Sequence, residues 1–192
     1  MFQVRIHGRG GQGVVSGAEM LSVAAFNEGR YAQAFPSFGS ERMGAPVMAF
    51  CRMDDKEIRL REPVMRPDAL IIQDPTLLHQ VDLFSGLAED GYVILNSTKS
   101  FTELGLADFA AHRPGMKFVA IPATDIALAH VGRPVPNAAL IAACAAVTGQ
   151  LKLASVVAAI RAKFSGKVGD ANAAAAADAW SRVESRKEAV HA

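Results

Sequence analysis

Residues Phe2 to Gly13, FQVRIHGRGGQG, set the strongest limit on how this chain folds. A short apolar strand runs into four glycines within six residues, and apolar residues at helical spacing follow. Gly8, Gly10 and Gly13 have the spacing of a dinucleotide-type turn, and they stand in the strand–turn–helix setting that gives the spacing meaning. Glycine removes the Cβ that would hold a ligand or a neighbouring backbone at a distance. The helix that follows presents unpaired N–H groups and its positive dipole end to an anion. A ligand-free reading also stands: the same glycines serve a tight turn and close helix–sheet packing. A nicotinamide site needs a carboxylate about 20 positions further on, after the second strand, to hold the ribose hydroxyls. Here that strand, Arg30 to Phe35, runs into Pro36-Ser37-Phe38-Gly39, and the nearest acid, Glu41, lies beyond the turn. The motif predicts an anion-cradling turn and argues against NAD.

The rest of the chain alternates the same two patterns. Val14, Val15, Ala18, Leu21, Ala24, Ala25 and Phe26 predict one amphipathic helix over Gln12 to Glu28, stopped by Gly29. Strands are expected at Tyr31 to Phe35, at Val47 to Met53 with Glu57 to Leu60 as its hairpin partner, at Ala69 to Gln73, Gly91 to Leu95 and Lys117 to Ile121. Asp74-Pro75-Thr76 opens a helix expected to reach Ser85, with Asp74 as its N-cap. Beyond Thr124 only helices are expected, at Thr124–Val131, Asn137–Thr148, Leu153–Phe164 and Asp170–Val183. Continuous apolar strands between helices imply an α/β fold: a Rossmann-like, mostly parallel sheet with helices on both faces and a helical C-terminal part. We expect one domain over residues 1–192, sheet-forming to about 122 and helical over about 123–190.

A net charge of +1, with no basic block and few aromatics, speaks against nucleic acid as a partner. The longest apolar run, Ala138 to Val147, has ten residues, whereas a span needs roughly 20. Membrane insertion is not expected, and with so few thiols a reducing, cytoplasmic setting is. Cys51 and Cys144 stand 93 positions apart and cannot hold an iron–sulfur cluster or zinc unaided. The histidines show no zinc-hydrolase spacing; His7, ending the first strand, reads as a structural residue or an anion contact. Neither a nucleophile elbow nor a Walker turn is present, and the carboxylates are scattered singly. No catalytic set emerges, which fits a subunit better than a complete enzyme. A stand-alone Rossmann-type nucleotide-binding oxidoreductase is the alternative. The loop Pro36 to Pro46 mixes Glu41-Arg42 with Phe38 and Met43 between two strands, where open sheets build their sites.

Taken together, GRGGQG after the first strand and FPSFGSERMGAPVMAF resemble the gamma subunit of the 2-oxoacid:ferredoxin oxidoreductases, pyruvate type. ALIIQDPTLL, the stretch Glu89 to Ser97, IPATDIA at 121–127, Gly132-Arg-Pro-Val-Pro-Asn137 and Asn172 extend the resemblance over nearly the whole chain. It implies a thiamine-diphosphate- and iron–sulfur-dependent complex that oxidatively decarboxylates a 2-oxoacid to an acyl-CoA. Pyruvate, a branched-chain 2-oxoacid or an aromatic one such as phenylglyoxylate is the implied substrate. Thiamine diphosphate, Mg2+ and [4Fe-4S] clusters would come from alpha, beta and ferredoxin-like delta subunits, with ferredoxin or another acceptor taking the electrons. None would be held by this chain alone. Gly8, Arg9, Gly10, Gly11, Gln12, Gly13, Glu41 and Arg42 are expected as cofactor contacts, meeting the phosphates of CoA or helping to close the thiamine cavity. The chain departs from many relatives in having Arg42-Met43 where they carry two arginines, and AALIAACAAV after Asn137.

Overall fold

The computed structural model describes residues 1–37 and 43–191, with side chains through Arg186. Six strands form one sheet in the order β2-β3-β1-β4-β5-β6. β1 (Phe2–Arg9), β4 (Ala69–Ile72), β5 (Tyr92–Asn96) and β6 (Lys117–Ile121) run parallel, and β3 (Pro46–Asp54) runs antiparallel to both β1 and β2 (Tyr31–Pro36). The mostly parallel α/β architecture expected from the sequence is therefore present, with one reversed strand inserted beside β1.

That insertion corrects one expectation. Glu57 to Leu60 forms no strand. Its expected partner β3 already has β1 on one edge and β2 on the other, so no edge hydrogen bonds are left to offer. The peptide after β3 instead crosses the sheet face, where the Glu62 carbonyl accepts from Arg52 Nη2 at 2.6 Å.

Period-2 alternation sorts the side chains between two cores. Val4, Ile6, Ala69, Ile71, Ile94 and Ile121 face α1 (Val14–Asn27), α3 (Ala123–Val131), α4 (Asn137–Thr148), α5 (Leu153–Lys163) and α6 (Gly166–His191). Leu70, Ile72, Val93 and Leu95 face a thinner layer made of the 3-10 turn Pro75–His79, the short α2 (Ala107–Ala111) and the strands' connecting segments. Residues Asn137 to Ala146 of α4 are all buried, as a helix apolar on every side must be. Small alanines there let α1, α5 and α6 pack close around it.

Two helical expectations change. The helix expected from Asp74 to Ser85 is a five-residue 3-10 turn, although Asp74 does cap it by accepting from Thr76 N. The last helix runs from Gly166 to His191 rather than from Asp170 to Val183. The short α2 carries no strong periodic signal and was not anticipated. None of the helices described is long and apolar enough to cross a membrane.

Candidate functional site

β1 delivers the chain to the glycine turn, and the turn is held from both ends. Gly11 and Gly13 adopt left-handed backbone, with φ of 92° and 74°. Gly10 does not, so the conformational demand falls on its two neighbours. Gly8 is required for a different reason: a Cβ there would lie 2.6 Å from Val14 Cγ2 and 3.1 Å from Gln73 Oε1. Gly13 caps α1 without any side-chain hydrogen bond, leaving first-turn N–H groups for an outside acceptor. A cleft of about 320 Å³ lies at this point, lined by Arg9, Gly10, Gly11, Gly13 and the Val14–Ser16 turn.

The second sequence-identified segment meets the first. Gly10 N–H donates to the Ala45 carbonyl at 2.9 Å, and Gly44 N–H donates to the Gly10 carbonyl at 3.1 Å. Met43, 86 % exposed, lies over the turn, its Cε 2.9 Å from where a Cβ of Gly11 would stand. The end of the Pro36 to Pro46 loop is thus zipped onto the glycine turn. Glu41 and Arg42, both expected as cofactor contacts, lie outside the described residues.

Arg9 and Gln12 are placed otherwise than a free anion clamp. Arg9 Nε pairs with Asp74 Oδ2 at 3.0 Å, Nη1 donates to the Gly44 carbonyl at 3.0 Å, and Nη2 donates to Thr76 Oγ1 at 2.7 Å and Gln80 Oε1 at 3.0 Å. Gln12 Oε1 accepts from Arg9 N at 2.8 Å while its Nε2 donates to Asp74 Oδ2 at 3.0 Å. Burial works to raise the Asp74 pKa, but hydrogen bonds from Thr76 and Gln12, with the Arg9 charge, outweigh it and leave the carboxyl below its usual range. This network fills the crevice between the carboxyl ends of β1 and β4, where the connections diverge and a dinucleotide would otherwise sit. Sequence reasoning placed Arg9 and Gln12 at the turn. It missed that Asp74, Thr76 and Gln80, more than 60 positions away, consume their hydrogen bonds.

His7 is buried, 3 % exposed, and its Nε2 has no hydrogen-bond partner. Burial, with the nearby Arg5 charge, pushes its pKa down to about 3, so the ring is neutral and belongs to the core. Gln73 lies on the opposite face of the sheet, between Gly8 and Gly17. A third contact the sequence did not reveal is Asn137, at the start of α4, whose Nδ2 donates to the Gly13 carbonyl at 3.4 Å.

Cys51 and Cys144 are both buried, and burial pushes each thiol up to about 12. They remain protonated and unsuited to metal ligation. Among the described residues no group of three His, Cys, Asp or Glu side chains is placed to hold a metal ion.

With this geometry in view, the comparisons are specific. The family model described as pyruvate ferredoxin/flavodoxin oxidoreductase matches residues 3–181. The chain belongs to that family. Among family members, the pyruvate/ketoisovalerate oxidoreductases common subunit gamma of Thermococcus kodakarensis is 47% identical over 95% of this chain and 97% of its own. Pyruvate synthase subunit PorC of Methanothermobacter marburgensis is 46% identical over 96% of this chain and 98% of its own. The crystal structure of pyruvate oxidoreductase subunit PORC from Thermotoga maritima, 36% identical, superposes with a TM-score of 0.79 over 94% of this chain and 95% of that one. The pyruvate ferredoxin/flavodoxin oxidoreductase fold is therefore shared from β1 into α6, and the glycine turn stands inside the matched region.

Proposed function

We propose that this chain is the gamma-type subunit of a 2-oxoacid:ferredoxin oxidoreductase that converts pyruvate, or a related 2-oxoacid, into an acyl-CoA. Residues 1–192 act as one gamma-type domain within that complex. The observation that carries the reading is the match at 46–47% identity to gamma subunits over nearly the full length of both chains.

The family chemistry requires thiamine diphosphate and iron–sulfur clusters, which supply the electron sink for decarboxylation and the path for two electrons. Among the described residues the donor set suits neither role: the thiols are buried and protonated, and no three His, Cys, Asp or Glu side chains are grouped to hold a metal ion. Those groups belong to alpha, beta and ferredoxin-like delta subunits, with ferredoxin or another acceptor beyond them.

This chain's contribution is positioning. The glycine turn presents first-turn amides of α1 beside a cleft whose floor carries no Cβ at Gly10, Gly11 or Gly13, and a CoA phosphate can approach there. Arg9, fixed by Asp74, Thr76 and Gln80, holds the turn in shape rather than offering a free charge. The Pro36 to Pro46 loop is hydrogen-bonded to the turn at Gly44 and Ala45, which supports a shared role for the loop and the turn. A stand-alone dinucleotide enzyme is disfavoured because the β1/β4 crevice is filled by the Arg9–Asp74 network.

Co-expression with candidate alpha, beta and delta chains, followed by an assay of 2-oxoacid-dependent dye reduction, tests the assignment. The reconstituted complex should require CoA, the isolated chain should be colourless and inactive, and Arg42→Ala should raise the KM for CoA while leaving thermal stability unchanged. Turnover by the isolated chain would overturn the assignment, and an unchanged CoA dependence in Arg42→Ala would overturn the loop's role.

A further inference from the structure

An open sheet ends in two edges whose backbone groups have no strand to pair with, and a bare edge invites another chain. Here the edges are β2 and β6, and they differ. On β6 the Ala120 carbonyl accepts from Arg186 Nη1 of α6, and Lys117 places a charge at the start of the strand. β2 has neither device. No charged residue stands from Tyr31 to Pro36, and no bulge interrupts the pairing with β3.

The register with β3 shows which groups this edge offers. Ser37 N–H donates to the Met48 carbonyl at 2.9 Å, so Ser37 and Met48 form a hydrogen-bonded pair. Antiparallel pairing alternates bonded and non-bonded pairs, so Tyr31, Gln33 and Phe35 turn their backbone groups to β3. The amides and carbonyls of Ala32 and Ala34 turn outward, and among the described residues nothing bonds to them there. At its two ends the edge closes itself. Pro36 has no N–H, and Arg30 N–H donates to the Ala25 carbonyl at 3.1 Å.

Such an edge is complementary to itself in one register. With Gln33 opposite Gln33 in antiparallel strands, Ala32 of each exchanges both backbone bonds with Ala34 of the other. A slide one way sets an Ala32 carbonyl against the Pro36 nitrogen, and a slide the other way sets an Ala34 carbonyl against the committed Arg30 N–H. The favoured register also puts Tyr31, 52 % exposed, opposite Phe35 as an aromatic cross-strand pair, with no like charges opposed. On the other face lie only Ala32 and Ala34, packed under α1, which leaves Val23 and Phe26 exposed. We propose that β2 pairs antiparallel with β2 of a second copy of this chain, about a two-fold axis at Gln33, joining the two sheets into one. This pairing is independent of what the glycine turn binds.

Sedimentation equilibrium of the full-length chain tests the proposal. The wild type should sediment at twice the chain mass. Ala34→Pro removes an N–H that only the outer edge uses, so it should sediment as a monomer with an unchanged circular-dichroism spectrum. Gln33→Cys tests the register even if the proline variant misfolds. Its Cα atoms would stand about 4.5 Å apart across a non-bonded pair, within disulfide reach. Cys51 and Cys144 are buried and do not compete. Mild oxidation should link Gln33→Cys into a dimer, whereas Tyr31→Cys, displaced along the strand from its counterpart, should stay unlinked. A monomeric wild type, a dimer that survives Ala34→Pro, or equal linking of the two cysteine variants would each overturn the proposal. So would a chain that is monomeric alone and in which Ala34→Pro abolishes recovery with partner subunits, because the edge would then belong to a subunit of different sequence.

Discussion

His7 shows how one buried side chain sets an acid limit on the whole chain. Its folded pKa, pushed down to about 3, lies below the ordinary 6.5. Between those values the unfolded chain binds a proton that the folded chain refuses. Stability is therefore complete above pH 6.5 and falls as pH drops, by up to about 1.4 kcal/mol per unit. Urea unfolding at pH 7 and pH 4.5 should show this loss, and His7→Gln, which does not titrate there, should show a shallower one. Asp74 acts in a lower window: its pKa is also depressed, so the stability it adds above the ordinary carboxylate range is lost only as pH falls through its folded value. A second buried residue, Arg5, binds the segment expected to be helical. Its Nη2 donates to the Leu83 and Ser85 carbonyls at 2.8 and 2.7 Å. The guanidinium, buried at 7 % exposure, takes both acceptors from the segment that follows the 3-10 turn.

Among the elements, the turn into α1 and the helix α4 carry the sharpest expectations. Gly13 and Gly29 have nearly the same left-handed φ, 74° and 78°, yet different surroundings. Nothing lies within 4 Å of a Cβ at Gly29, whereas at Gly13 it would sit 2.6 Å from Asn137 Nδ2. Asn137 is buried and its Oδ1 is held by Ala138 N at 2.8 Å, so it cannot swing aside. Gly29→Ala should cost about 1 kcal/mol of backbone strain, and Gly13→Ala about 1 to 3 kcal/mol more from the clash, readable as a difference in denaturation midpoint. In α4, Ala142 is fully buried in the helical core. Ala142→Leu should destabilise by about 1 to 3 kcal/mol despite the gain in hydrophobicity, because the core has no room for three more carbons. Thermal unfolding of that variant checks the expectation, and an unchanged midpoint would mean that α4 is loosely packed.

For the molecule as a whole, assembly is the property to probe. Met43 is 86 % exposed and rides on the glycine turn, so an aspartate there disturbs no core. Met43→Asp should shift the unfolding free energy by less than about 0.5 kcal/mol while weakening co-purification with partner subunits. Equal recovery of the complex would exclude this surface from the interface. Much of the molecule was legible beforehand from periodicity and glycine placement. β6 and α4 fall on their expected residues, and most other elements within one or two positions of theirs. Such signals are local, because a continuous apolar run or a 3.6-residue spacing dictates its own element wherever the chain later goes. Anything that depends on a distant partner was not legible. The strand partners of β3 were one such case, since pairing is chosen by which edges are free. The occupation of Arg9 by Asp74, Thr76 and Gln80 was another, as was the filling of the β1/β4 crevice by side chains that meet there from distant segments. The amino-acid order thus determined the elements, the glycine turn and the family to which the chain belongs. Only the tertiary structure decided which hydrogen bonds the turn has left to offer, because hydrogen-bonding capacity is consumed by neighbours in space.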